Sequence, residues 1–426
     1  MAGDTTDPDI IVRNAYVYDR DDVVDIAIKD GEISEISEEI PGSGRREFDA
    51  EGNLACSGFF EGHLHMDKAF VAAGERFPKF NDEPTDLDWV VQKNAEYYGN
   101  ASKDEIASNA KQVARMAVSN GILHMRGQTY VGESAGTKAV EALLAVRDEL
   151  ADAVDIEVVA FPQSGISHAN NRQLVDEGVK LGADMVGGLD PAARNNNVER
   201  TIGTWFDLAT EHDVDLDVHI HEPDSLGIYT LRRLAEKTIQ HEYQGRVTAS
   251  HSYALADVNT GVGDEERFSE GRLASAIPRF QEAGLKFVTC FRTTRPSMPI
   301  RRFADAGLPI GIGSDNVKDY TSASANADML EGGMIEAFKL NHDGGYLLNP
   351  GLERIWNMLT EASARVFDIH DDYGIEVGNT ANIVVLDSPS PQWAILEQAD
   401  TRHVIKAGEV VIEDTEFTDQ FEAVFE

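Results

Sequence analysis

The residues best suited to chemistry are two histidines separated by one residue. They are His63 and His65, in the segment CSGFFEGHLHMDKAF at residues 56–70, where they follow an apolar run. Side chains two positions apart on a β-strand point to the same side, so both imidazoles would face one point, with Asp67 close behind. Two interpretations fit this segment alone: a hydrogen-bonded histidine pair at a strand end, or half of a metal site.

Further histidines and acids end other apolar runs of the chain. DVHIHEPDS carries His219 and His221 followed at once by Glu222, TASHSYA carries His251, and GIGSDNVKD carries Asp315. The chain has 12 histidines, and five of them stand at the ends of such runs. This shared placement favours one functional site over several separate structural histidines.

The residue types indicate metal chemistry. Neutral imidazoles and a carboxylate suit zinc or iron(II). Three histidines and one aspartate would bind one divalent ion and leave a position for water, whose pKa the metal would lower toward ~7. Glu222 lies three residues beyond His219, where the chain leaves the strand, so it could carry protons between the water and a leaving group. The alternative for Glu222 is a solvated surface acid.

These residues require a fold that brings several strand ends to one face. Helical patterns separate the apolar runs; one of them, residues 102–121, opens with a capping-box pattern at Ser102 and Glu105. Eight β/α units in series predict an α/β fold, a (β/α)8 TIM-like barrel, with its active site at the carboxyl ends of the strands. The eight runs are LACSGFF, ILHMRGQ, IEVVAFP, DMVGGL, VDLDVHI, RVTASH, KFVTC and LPIGIGSD.

The two ends of the chain differ in character from its middle. Residues 1–56 and 373–426 alternate apolar and polar positions around turn signals, Asp30-Gly31 in the first segment and Ala407-Gly408 in the second. These segments predict a small β-sandwich domain built from both chain termini. The metal-dependent barrel is then expected over residues 57–372.

The charge of the chain excludes some classes of partner. Asp and Glu number 75 against 37 Lys and Arg, which gives a formal charge of -38. Such a field repels phosphate backbones and anionic membranes, so neither nucleic acid nor membrane is expected as a partner. The acids are dispersed along the chain, as on the hydrated surfaces of proteins from salt-loving organisms. We therefore expect a halophilic protein whose carboxylates serve mostly for solvation.

The location expected from the sequence is the cytoplasm. The acidic start, MAGDTTDPDI, is unlike a signal peptide. No apolar run approaches the ~20 residues needed to cross a bilayer. The only cysteines are Cys56 and Cys290, which are expected to be two buried thiols in place of a disulfide.

Five segments taken together resemble a known enzyme group. GHLHMDKAF, FPQSG, VHIHEPDS, SHSYAL and GSDNVKD, in this order, resemble the cytosine deaminase branch of the amidohydrolase superfamily, and the resemblance covers nearly the whole chain. It implies a proton shuttle, a group that polarises the attacked centre, a hydrogen bond to the substrate ring and four metal ligands, of which the aspartate also accepts a proton from the water. By this resemblance Glu222 would be the proton shuttle, His251 the polarising group and Gln163 the residue that hydrogen-bonds the ring. The four metal ligands would be His63, His65, His219 and Asp315.

Some positions depart from the pattern of that branch. Where the cytosine deaminases carry a second Asp, this chain has Asn316, which resembles the branch acting on N-isopropylammelide, a triazine with an alkylamino leaving group. The segment RGQTYV has Gln128 where the family often has a histidine. No lysine ends the third or fourth run, which offer Gln163 and Asp190 instead, so one metal ion is expected and not two. Gln163, Asn316 and Asp190 are the predicted substrate-binding residues.

The predicted function is a metal-dependent hydrolase that removes an amino or alkylamino group from a cytosine-like pyrimidine or triazine ring. One alternative is a cyclic amide or carbamate hydrolase that opens a ring at the same metal. Another is a non-catalytic metal-binding barrel, which the presence of Glu222, His251 and Asp315 disfavours, because a structural site needs no proton shuttle. The expected partner is a small heterocyclic substrate, and pairing of such barrels allows a homo-oligomer.

The formal charge of -38 leads to a salt prediction. At roughly molar salt the Debye length falls to ~3 Å, which relieves repulsion between surface carboxylates. We expect the melting temperature and the activity to rise from low salt to molar KCl. Thermal denaturation and turnover, both in a KCl series, measure the two quantities. A melting temperature that stays constant across the series would contradict a salt-adapted surface.

Overall fold

The computed structural model describes residues 7–73, 87–168, 170–256, 264–291, 297–341 and 345–425. The strands within these ranges are β1 (Ile10–Val17), β2 (Asp22–Lys29), β3 (Glu32–Ser37), β4 (Arg46–Asp49), β5 (Leu54–Ser57), β6 (Phe59–Leu64), β7 (Ile122–Tyr130), β8 (Asp155–Phe161), β9 (Met185–Leu189), β10 (Asp215–His219), β11 (Val247–Ser250), β12 (Lys286–Cys290), β13 (Ile310–Gly313), β14 (Ile383–Leu386), β15 (Thr401–Lys406), β16 (Glu409–Glu413) and β17 (Glu416–Phe417).

Helices connect the strands of the middle and cover the outside of their sheet. Those in the same ranges are α1 (Leu87–Asn100), α2 (Lys103–Ser119), α3 (Lys138–Glu149), α4 (Asn171–Leu181), α5 (Val198–His212), α6 (Asp224–Gln240), α7 (Tyr253–Ala256), α8 (Asp264–Ala283), α9 (Ile300–Asp305), α10 (Met329–Leu340), α11 (Asn349–Leu359), α12 (Glu361–Val366), α13 (Pro391–Glu397) and α14 (Asp419–Phe425).

The middle of the chain forms a parallel barrel. Strands β6 to β13 lie side by side in sequence order, and each pairs in parallel with the next. Every residue of β7 is buried, as expected for a strand that is covered by helices on one face and by the barrel interior on the other. The predicted (β/α)8 TIM-like barrel is confirmed.

The barrel closes where its first and last strands meet. Leu64 and Asp315 form a parallel bridge. The Asp315 N–H donates to the His63 carbonyl at 2.8 Å, and the His65 N–H donates to the Asp315 carbonyl at 2.9 Å. We call these contacts of His63, Leu64, His65 and Asp315 the seam. Three candidate metal ligands thus supply the backbone bonds that join β6 to β13.

Helix α2 shows how the sequence positions the outer layer. The Ser102 hydroxyl accepts a hydrogen bond from the Glu105 N–H at 3.0 Å, as the capping-box pattern predicted. The apolar face of this helix is buried, and its cap residue Asn120 is followed by Gly121 at φ 76°. The buried face consists of Ile106, Ala110, Val113, Ala114, Ala117 and Val118.

Both chain ends contribute to a second, mixed sheet. Its order is β17-β16-β15-β14-β5-β1-β2-β3, with β4 paired to β1, so β5 joins the N-terminal strands to the C-terminal ones. The two predicted hairpin turns have positive φ at both central residues, 52° and 86° at Asp30-Gly31 and 47° and 80° at Ala407-Gly408. Such values suit the tight turns that match the twist of antiparallel strands. The small β domain from both termini is confirmed, and its strands belong to one hydrogen-bonded sheet.

The first predicted run is divided between the two sheets. LACSGFF was marked as the first of the eight runs, with the expected start of the barrel at residue 57 inside it; Leu54–Ser57 is β5 of the terminal sheet and the first barrel strand begins at Phe59. Only Gly58 lies between them, and a Cβ at this position would lie 2.6 Å from the Leu123 side chain. The close packing of Gly58 on β7 therefore permits the chain to pass directly from one sheet into the other.

The structure also bears on the two cysteines and on candidate membrane spans. Cys56 and Cys290 are both buried free thiols, as expected. In the ranges that the structure describes, none of the helices combines the length and the apolar character that crossing a bilayer would need.

The seam provides a test of the fold. A Cβ on Gly313 would lie 2.7–2.8 Å from the backbone nitrogen, the Cβ and the carbonyl oxygen of His63. Since overpacking of this kind costs roughly 1–3 kcal/mol, we expect Gly313→Ala to lower the free energy of unfolding by about that amount, as measured by urea denaturation. Gly203→Ala is the matched control, because a Cβ there meets nothing within 4 Å. Equal stability of the two variants would refute close packing at the seam.

Candidate active site

The predicted chemical residues lie together at the carboxyl ends of the barrel strands. His63 stands near the end of β6 and His65 directly after it, His219 is the last residue of β10, His251 follows β11, and Asp315 lies two residues after β13. His251 and Asp315 have φ of 65° and 64°. Such left-handed conformations are costly for residues other than glycine and often occur at functional sites. Here they turn the chain sharply at the strand ends.

Three of these histidines form a compact cluster. The ligand atoms of His63, His65 and His219 all lie within 4.8 Å of one another, and the three residues are buried. One carboxylate oxygen of Asp315, Oδ1, lies 3.8 Å from Nε2 of His63 and 3.6 Å from Nε2 of His65. Four side chains from three strands therefore converge on one point.

The ring nitrogens of this cluster suit a metal ion. Both nitrogens of His63 and both of His219 are buried, and among the residues that the structure describes they have no hydrogen-bond partner. Burial lowers the pKa of His63, His65 and His219 well below the usual range of histidine, so the imidazoles are neutral at pH 7. Neutral imidazoles and one carboxylate are donors that zinc and iron accept. The residues present therefore fit a divalent transition metal.

Neighbouring groups orient two of the rings. Nδ1 of His65 lies 3.0 Å from the main-chain carbonyl of Gln128, which places the proton on Nδ1 and leaves the Nε2 lone pair facing the cluster. The His219 ring stacks on Phe161 with 4.1 Å between ring centroids. Such contacts hold a ligand ring in place before any metal binds.

A buried ionic network lies behind Asp315. The Lys68 ammonium donates to the Asn316 side-chain oxygen at 2.8 Å and pairs with Asp319 at 2.9 Å. Burial raises the pKa of Asp315 to about 6, and the charge of Lys68 and a hydrogen bond with Asn316 act in the opposite direction. Lys68 therefore forms a buried ion pair. Asn316, predicted to bind substrate, lies between Lys68 and Asp315.

Glu222 is held by three donors. Its Oε1 accepts hydrogen bonds from the N–H groups of Ala192 at 2.6 Å and Ala193 at 3.2 Å, and its Oε2 accepts from the Thr230 hydroxyl. The side chain is buried, and burial raises its pKa above the usual range, although the three hydrogen bonds oppose this shift. The surface-acid alternative for Glu222 does not fit this environment.

The remaining predicted residues lie around the cluster. The His251 ring is 4.8 Å from the His63 ring, centroid to centroid, and its Nδ1 lies 3.4 Å from the Tyr253 hydroxyl. The Gln163 side-chain oxygen accepts a hydrogen bond from Asn94 of α1 at 3.1 Å. This contact orients the Gln163 amide at the end of β8.

Asp190, predicted to bind substrate, contacts another site residue. Its Oδ1 accepts the His221 main-chain N–H at 2.6 Å, and its Oδ2 lies 2.9 Å from Nδ1 of the same histidine. Both carboxylate oxygens are therefore engaged by His221. The His221 ring lies 4.4 Å from the His251 ring, measured between centroids.

Comparison with known proteins decides the family. The Amidohydrolase family model matches residues 46–412. The chain belongs to the amidohydrolase family. This amidohydrolase is 43% identical over 409 residues, 96% of this chain and 98% of the relative, to N-isopropylammelide isopropyl amidohydrolase from Pseudomonas sp. (strain ADP).

Solved structures resemble the amidohydrolase over nearly all of its length. N-isopropylammelide isopropylaminohydrolase from Burkholderia multivorans ATCC 17616 has a TM-score of 0.83 and 26% identity, covering 96% of this chain and 99% of that one. The 5-methylcytosine deaminase from Klebsiella pneumoniae, liganded with 5-fluorocytosine, has a TM-score of 0.81 and 25% identity, covering 97% and 100%. The family and its cytosine deaminase and N-isopropylammelide branches, expected from five sequence segments, are confirmed.

Several contributors to the site of the amidohydrolase were not found from the sequence. Gln128 acts through its main-chain carbonyl, which any residue would supply. Thr230 lies in the middle of α6, and the amides of Ala192 and Ala193 lie in the loop after β9. His221 was noted as part of the His-x-His pair but received no role. Its position directly before Glu222 was the available signal.

The ligand geometry predicts the metal content of the amidohydrolase. We expect about one tightly bound divalent ion per wild-type chain, and loss of most of it in His63→Ala and in Asp315→Ala, because each removes one of four converging donors. Elemental analysis after exhaustive dialysis measures this content. His370→Ala is the matched control, since its side chain is 38% exposed and lies outside the cluster. Two ions per wild-type chain, or undiminished metal in both site variants, would contradict a single four-ligand site.

Proposed function

We propose that this amidohydrolase hydrolytically removes an amino or alkylamino group from a triazine or cytosine-like ring. The observation that carries the proposal is the 43% identity, along 96% of the chain, with a relative named N-isopropylammelide isopropyl amidohydrolase. The likeness to a 5-methylcytosine deaminase supports the same substrate class, a small nitrogen heterocycle. The leaving group is ammonia or an alkylamine.

In this proposal the cluster holds one divalent ion, either zinc or iron(II). His63, His65, His219 and Asp315 would be its ligands, and the ion would supply a Lewis acid for the activation of water. Asp315, whose pKa burial raises to about 6, is also suited to receive a proton from that water.

The chain's own groups then move protons and hold the ring. Water adds its oxygen to the ring carbon that bears the exocyclic nitrogen, and the C–N bond to the departing amine breaks. Glu222, whose pKa burial raises, delivers a proton to the ring nitrogen so that the amine leaves from a saturated carbon. One water proton departs with the amine, and the other stays with the product, whose ring carbon becomes a carbonyl.

Two further residues orient the substrate in this proposal. His251, buried beside His63, polarises the attacked centre. The Gln163 amide, held by Asn94, hydrogen-bonds the ring. Asn316 contributes indirectly, because its contacts with Lys68 and Asp315 fix the carboxylate.

The proposal predicts amine release without ring opening. Metal-reconstituted enzyme in high salt should liberate isopropylamine from N-isopropylammelide, or ammonia from an aminopyrimidine or aminotriazine, as measured by amine detection and product mass spectrometry. Water replaces one amine, so the product ring stays closed. A ring-opened product would favour the cyclic amide hydrolase. If metal-loaded enzyme turned over none of these compounds, the proposed deaminase function would be contradicted.

Glu222→Gln tests the proton shuttle on the same substrate. Gln keeps the volume and one accepting oxygen but has no titratable proton, so turnover should fall ~10²–10⁴-fold while metal content persists. Glu211→Gln, at an exposed position, is the control and should match wild type. Near-normal turnover of Glu222→Gln would remove Glu222 from the mechanism, and lost metal would place it among the ligands.

A further inference from the structure

The Asp190–His221 pair has no role in the proposed chemistry, yet its backbone and side-chain geometry is tightly constrained. Asp190 adopts φ 35°, a strained conformation for a residue with a side chain. Its buried carboxylate binds the main-chain N–H and Nδ1 of His221 at 2.6 and 2.9 Å. Two contacts to one residue fix both the backbone and the ring of His221. Strain of this kind persists where the surrounding structure needs the resulting geometry.

His221 faces the candidate active site and retains an open side. Its ring lies 4.4 Å from the His251 ring and 5.7 Å from the His219 ring, centroid to centroid. Its side chain is 25% exposed, whereas that of Asp190 is 4% exposed. Within the part of the chain that the structure describes, Nε2 of His221 makes no hydrogen bond. This nitrogen is therefore available to a molecule in the barrel mouth.

The contact with Asp190 decides what kind of group Nε2 recognises. A carboxylate only accepts hydrogen bonds, so Nδ1 of His221 donates to Asp190, and in the tautomer that this contact selects Nε2 keeps its lone pair. A free acceptor in this position selects an N–H donor on the ligand. In the proposed reaction the attacked ring lies beside His219 and His251, and the rings of both residues are next to that of His221.

We propose that His221, oriented by Asp190, is a specificity residue whose Nε2 accepts a hydrogen bond from the N–H of the departing amino or alkylamino group. This inference rests on the proposed function. It names the substrate feature that is selected: an exocyclic nitrogen with at least one hydrogen. Amines with two alkyl groups lack that hydrogen and leave the acceptor without a partner.

Asp190→Asn provides a sharp test, because it changes hydrogen-bond polarity without changing size. The His221 main-chain N–H needs an acceptor, so the Asn oxygen occupies the Oδ1 position and its NH₂ group faces Nδ1. The ring must then carry its proton on Nε2, which becomes a donor. An N–H substrate would meet a second donor in place of an acceptor.

The measurement is the ratio of kcat/KM for N-isopropylammelide to that for its N-methyl derivative, which has no exocyclic N–H. We expect wild type to favour N-isopropylammelide about tenfold or more, in keeping with the loss when a site's polar group is left unpaired. The ratio should fall toward one in Asp190→Asn and in His221→Phe, with metal content unchanged. Asp152→Asn, at an exposed position, should keep the wild-type ratio.

The possible failures are distinguishable. A wild-type ratio that persists in Asp190→Asn would overturn the role of His221 and leave the proposed function standing. Preference for N-isopropylammelide cannot be steric if Asp190→Asn abolishes it, because the variant has the same shape. Absence of amine release by wild type from both compounds would overturn the proposed function and this inference together.

Discussion

Closure of the barrel between its first and last strands is the constraint on which the site depends. At the seam the backbone bonds of Asp315 with His63 and His65, at 2.8 and 2.9 Å, set the relative position of three ligand side chains. Gly62 and Gly313 permit the close approach, since a Cβ on Gly62 would lie 2.8 Å from the Ile312 carbonyl. The ligand set is therefore as rigid as the sheet that carries it.

A buried charged residue in the barrel interior favours the neutral form of the histidines in the cluster. Arg126 is buried within the barrel, where it pairs with Glu157 at 2.7 Å and Asp217 at 3.1 Å and donates to the Thr248 hydroxyl. Its positive charge is one of the causes that lower the pKa of His63. Burial and a cation fixed inside the barrel both favour uncharged imidazoles. Each neutral imidazole therefore keeps a nitrogen lone pair that is available at the point where the ligands converge.

The sequence predicted most of this architecture, because two of its signals can be read from short segments of the chain. Alternation of apolar runs with helical patterns predicted the barrel, and the placement of His63, His65, His219, His251 and Asp315 at run ends predicted a shared face. The Asp190–His221 contact was not predictable, since it depends on a left-handed turn at Asp190 that directs the carboxylate toward β10. Within LACSGFF one glycine separates two continuous apolar strands, so the run itself carried no signal for the residue at which the first strand ends.

The place of β5 in the terminal sheet has a consequence for synthesis of the chain. β5 lies between β1 and β14, and its pairing with β14 joins Cys56 to Val384. When the ribosome has made the first barrel strands, one edge of β5 still awaits a partner from the far end of the polypeptide. Contacts of such sequence separation form slowly, and an unpaired strand edge promotes aggregation. Completion of the small sheet is therefore a late event, because it needs strands from both ends of the chain.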